Sequence, residues 1–149
     1  MMMKSKTAFV AAVILLTLGI ALFVLYKPDS EPRQTYPATV NRDCAPWDGG
    51  AFTVPVQYDP TTVIYISIWK SPDIEFPVRY ELPDDAGQVG NAYIIKELDP
   101  YTMLNGEVFL NGVSMDEPVE GRFRFTSERG EVYEGQFSAA WGDQIVYCG

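Results

Sequence analysis

The chain has 149 residues, 47% of them hydrophobic, with 11 basic and 20 acidic side chains, no histidine and a net charge of −9. That length suits one domain, and that hydrophobic share is too high for a disordered chain. The missing imidazole excludes a Ser-His-Asp triad and histidine metal ligation, two cysteines cannot build a four-cysteine zinc site, and the acidic surplus opposes nucleic-acid phosphates.

Residues 1–6 form a short tail that carries Lys4 and Lys6. Thr7 to Tyr26 follows without a single charge. A helix of that length, at about 1.5 Å per residue, spans the roughly 30 Å hydrocarbon core of a bilayer, which predicts a transmembrane helix over 7–26. A cleaved signal peptide has a shorter apolar core and small residues at its cleavage site. Here the exit reads Phe23-Val24-Leu25-Tyr26-Lys27-Pro28 and offers no small-x-small pair. The segment therefore reads as an uncleaved signal anchor, with the lipid bilayer as its partner. Basic residues flank it almost evenly, so orientation has to come from elsewhere.

Residues 27–43, with Pro28, Pro32 and Pro37 among polar neighbours, read as an extended linker. The exported domain is expected over 44–149. Its two cysteines, Cys44 and Cys148, stand at its extremities, and chain ends often lie close together in a compact domain. A disulfide between them closes a loop of about 100 residues, worth up to about 4–5 kcal/mol in the chain-entropy account. Such a bond persists only where thiols are oxidised. The expectation is a single-pass protein of the cell membrane, N-terminus cytoplasmic and C-terminal domain extracytoplasmic. Trp47, in Asp43-Cys44-Ala45-Pro46-Trp47-Asp48-Gly49-Gly50, is expected to cap one end of the core.

Beyond the linker, period-two alternation of β-forming residues dominates. Phe52–Val56 reads as a strand that Pro55 pushes to an edge or bulge. In Thr61–Trp69 the isoleucines 64, 66 and 68 share one face and Val63, Tyr65, Ser67 and Trp69 the other, as in a central strand with the isoleucines inward. Ile74–Leu82, Asn91–Leu98 and Glu107–Val113 are further strands. Asn105-Gly106 and Asn111-Gly112 are both turn signals, and the first is preferred as the turn.

Val119–Thr126 and Tyr133–Trp141 alternate cleanly around Ser127-Glu128-Arg129-Gly130-Glu131. A type I turn with a left-handed Gly130 predicts a hairpin in which Phe125 faces Tyr133, Phe123 faces Gly135, Gly121 faces Phe137 and Arg124 faces Glu134. Gln144–Tyr147 is expected as a last strand. The sum is an all-β domain, an antiparallel β-sandwich or small barrel of about eight strands, behind one N-terminal transmembrane helix.

Two sets of residues invite a binding role. Trp69, Tyr65 and Trp141 are candidates for an aromatic ligand face that would stack on a sugar or another small molecule. Asp84 and Asp85, with Asn91 after a glycine-rich loop, offer oxygen ligands for calcium, although the spacing is not that of a helix-loop-helix calcium site. Nothing in the chain assembles a catalytic constellation or calls for a cofactor, so no enzyme is expected. The function expected is that of a protein-interaction or structural module with a basic protein partner; the alternative is a carbohydrate- or small-ligand-binding module.

Overall fold

In the computed structural model of the chain, the described residues are 33–46, 50–69, 76–83, 89–97, 99–114 and 117–148. The expected tail 1–6, the membrane segment 7–26, the linker as far as residue 32, Trp47, Asp84 and Asp85 lie outside them. No helix occurs among the described residues.

Alternation of apolar and polar residues dictates the architecture. It yields eight strands: β1 (Thr35–Cys44), β2 (Gly50–Asp59), β3 (Thr62–Ile68), β4 (Val78–Leu82), β5 (Gly90–Lys96), β6 (Asp99–Leu110), β7 (Val119–Ser127) and β8 (Val132–Trp141). They hydrogen-bond in the order β4-β6-β5-β3-β2-β1-β8-β7, and β7 returns to pair with β6. Seven strands therefore close a barrel, while β4 lies beside the distal half of β6. Between sandwich and barrel, the chain forms the barrel. Closure removes free sheet edges except along β4. Pro77 and Pro83 bracket that strand, and Arg79 and Glu81 are exposed on it, which blunts its pairing capacity.

The inward rows meet as a filled interior. Val40, Val56, Ile64, Ala92, Leu104, Val108, Val119, Phe125 and Ala139 are fully excluded from solvent. The β7–β8 hairpin has the expected register: Phe125↔Tyr133, Phe123↔Gly135, Gly121↔Phe137 and Arg124↔Glu134. Its turn is closed by the Gly130 amide donating to the Ser127 carbonyl at 2.9 Å, with Gly130 at φ 80°. Arg124 and Glu134 approach to 3.7 Å on the outer surface. The isoleucine face of β3 is the buried one, and β3 is an interior strand between β2 and β5.

Five expectations are corrected. Residues 35–43, read as linker, form β1; Tyr36 and Val40 are apolar anchors among polar neighbours, and they pack into the core. Pro55 sits in β2, which is interior and not an edge; the β1–β2 register runs Ala38↔Val56 and then Asn41↔Thr53, skipping the positions beside the ring that cannot donate. Asn105-Gly106 is no turn but lies within β6. Before it β6 pairs with β5, after it with β4, and across it with β7. Residues 142–148 form no strand. Finally, the sheet is not purely antiparallel, because β1 and β8 pair in parallel, Thr35↔Gln136 through Val40↔Trp141. Parallel neighbours need a long crossover, and here the whole intervening barrel supplies it.

Candidate functional site

That parallel pair decides where the cysteines go. Because β1 and β8 run in the same direction, Cys44 at the end of β1 and the segment that follows Trp141 leave the barrel at the same pole. The Gly142 amide donates to the Val40 carbonyl at 2.8 Å and starts the last segment along this rim. Cys44 and Cys148, 104 positions apart, are disulfide-bonded with Cα atoms 5.5 Å apart.

The two poles of the barrel differ. At the far pole, where β1 begins, Tyr36 stacks on Tyr58 with ring centroids 4.7 Å apart, and Tyr58 meets Tyr133 edge-on at 5.4 Å. These rings plug the interior. Burial pushes the Tyr36 phenol up to about 12, helped by its hydrogen bond with Tyr58 and by the negative charges that Tyr58 and Glu134 would present. The Tyr133 hydroxyl donates to Glu131 at 2.8 Å, and Lys96 reaches the same carboxylate at 3.3 Å. The Tyr133 and Lys96 hydrogen bonds hold the Glu131 carboxyl below its usual range.

The described residues leave the disulfide pole unfilled. A cavity of about 420 Å³ lies there, with Phe52, Ile68 and Trp141 beside Phe76, Val113 and Val146, and with Arg42, Asp43, Gly50 and Cys148 on its border. Trp141 packs edge-on against Phe52 at 6.2 Å, and its Nε1 donates to the Ser114 carbonyl at 2.6 Å.

A second feature lies outside the barrel. On the outer face of β3, β5 and β6, Tyr65 stacks on Tyr93 with centroids 4.9 Å apart and planes 7° from parallel; Tyr93 meets Tyr101 edge-on at 5.9 Å. Tyr101 is 67% exposed and Ile95 40%. Pro55, Tyr65, Tyr93 and Met103 are successive register partners across four strands. Beside this apolar row runs a polar one. Thr53 donates its hydroxyl to Asp43 Oδ2 at 2.9 Å and lies 3.0 Å from Ser67 Oγ. With its one hydrogen committed to Asp43, Thr53 accepts that of Ser67. Asn91 faces Ser67 in register, and its buried Oδ1 has no partner among the described residues. Burial, and then the negative charges of Tyr65 and Asp43, push the Tyr93 phenol upward.

The sequence-derived ligand residues are thus divided. Tyr65 belongs to the outer face. Trp141 belongs to the cavity, as the alternation of β8 requires. Trp69 follows β3, and its amide donates to the Val89 carbonyl at 2.7 Å. Of the calcium candidates, Asn91 lies on β5 in the polar row; Asp84 and Asp85 are outside the described residues. Among the described residues no three acidic, cysteine or histidine side chains converge as a metal site. Tyr93 and Tyr101 escaped the sequence reading because only strand order brings them to Tyr65. Comparison with protein-family models, with curated proteins and with solved structures finds no match to the chain.

Proposed function

We propose that the chain is a membrane-tethered, extracytoplasmic protein-interaction module. Residues 7–26 cross the bilayer with the N-terminus in the cytoplasm, and the barrel works outside. The disulfide supports an oxidising compartment. The observation that carries the interaction role is the outer tyrosine face: Tyr65, Tyr93 and Tyr101, with Ile95 and Met103, offer apolar area on a barrel whose core is already filled. Tyrosine suits such a surface because it gives large contact area with few rotatable bonds. The acidic surplus of the chain favours a basic partner.

Replacing Tyr101 by a photo-crosslinking amino acid in the full chain, in its native membrane, tests this reading. A discrete protein adduct is expected at position 101 and none when the crosslinker replaces the outward Arg122, which pairs with Phe109 toward the other end of β6. Equal patterns at both positions would remove the interaction face. A second reading, a carbohydrate ligand, is favoured by the polar row of Asp43, Thr53, Ser67 and Asn91 beside the rings, since sugars present an apolar face and a hydroxyl edge. Glycan-array binding that Tyr65→Ala abolishes would favour it over a protein partner.

A further inference from the structure

We propose that the disulfide pole of the barrel is a separate binding site for an uncharged amphiphile, an alkyl chain or aromatic ring bearing a hydroxyl or amide head. The cavity of about 420 Å³ lies within the range of roughly 300–1,000 Å³ usual for small-molecule sites. It is built as barrel-mouth sites are, with an apolar interior and a few polar groups at the rim.

The tail chemistry follows from the lining. Phe52 and Ile68 are floor residues, 6% and 1% exposed, and Phe76, Val113 and Val146 stand around them. Trp141 adds a ring whose one donor is already engaged by Ser114, so it offers a ligand hydrocarbon contact and asks for no hydrogen bond. The head chemistry follows from the rim. Arg42 and Asp43 border the cavity together, so a formal charge on the ligand meets attraction from one and repulsion from the other. A neutral hydroxyl or amide head suits a rim that carries both signs of charge. The mouth has room. A Cβ built on Gly50 meets no atom of the described residues within 4 Å. At the far pole the buried Tyr36 and Tyr133 rings occupy the corresponding place.

Photolabelling in the membrane tests the site without isolating the barrel. The probe is decanol carrying a diazirine, irradiated with the full chain in its membrane, and adducts are mapped by peptide mass spectrometry. Adducts are expected on the peptides that hold Phe52, Val113 and Trp141. Excess plain decanol should cut them roughly ten-fold, as displacement from a specific site requires. Gly50→Phe fills the mouth and should cut them similarly while leaving the circular dichroism and melting temperature of the protein unchanged. Absence of adducts at the mouth, or adducts indifferent to decanol, would overturn the site. The decanol competition uses the wild-type chain, so the answer does not depend on the variant folding.

Discussion

Tyr80 lies 5% exposed on β4, and its hydroxyl is buried with no hydrogen-bond partner among the described residues. A polar group taken from water without compensation costs about 1–3 kcal/mol. Tyr80→Phe removes that group and keeps the ring, so it should stabilise the barrel by about 1 kcal/mol. Urea unfolding monitored by circular dichroism checks this; a loss of stability would mean that the hydroxyl is satisfied. Gly106 is the converse case. It holds φ at 154°, and a Cβ there would collide with the Arg124 carbonyl and come within 2.8 Å of the Phe125 Cα. Both obstacles are backbone, so neither can swing aside. Gly106→Ala should cost about 3 kcal/mol or more, beyond the usual penalty for a strained backbone position. An unchanged unfolding midpoint would show that β6 and β7 can separate enough to admit a side chain.

At the scale of elements, legibility tracks the distance over which each decision is made. The β7–β8 hairpin was readable to the residue because its register depends on one turn and one alternation, both local. The isoleucine face of β3 was readable for the same reason. β1 was not: Tyr36 and Val40 are sparse among prolines and polar residues, and their burial arises from β8, about a hundred positions away. Asn105-Gly106 looked like a turn because local chemistry permits one there, whereas the structure uses the glycine to let β6 change partners between β5 and β4. The aromatic sites failed alike. Tyr65 was identified from β3 alone, but its stacking partner is set by the non-consecutive pairing of β3 with β5. A test at this scale is Gly130→Ala in the hairpin turn. Its φ of 80° suits glycine, and a Cβ there meets no atom of the described residues within 4 Å, so only conformational strain is added. The cost should be about 1–2 kcal/mol with native circular dichroism retained.

At the scale of the molecule, the disulfide joins the end of β1 to a segment without ladder partners of its own. Cys44→Ala with Cys148→Ala should lower the unfolding free energy by about 2–5 kcal/mol, read by denaturant titration, with the β-rich spectrum retained. The pH dependence is set by the phenols. Burial pushes Tyr36 to about 12, and burial also raises Tyr80, Tyr93 and Tyr133, all from an ordinary value of 10.0. Between 10.0 and about 12 the native barrel retains the Tyr36 proton that the unfolded chain has released, and the other three phenols act in the same direction. Stability contributed by these phenols is therefore full below pH 10.0 and is lost as pH rises through their folded values, toward about 12 for Tyr36. At the acid end Glu131 and Asp59 act in the opposite sense. Their carboxyls are held low, so their contribution is lost as pH falls through their folded values. Absorbance at the tyrosinate band, recorded beside circular dichroism, should show a late class among the nine tyrosines that ionises only as the barrel unfolds. Tyr36→Phe should shift that alkaline transition upward, because one late phenol no longer drives it. A single tyrosinate transition near 10, with the β spectrum intact throughout, would contradict the plugged pole on which this account of the barrel depends.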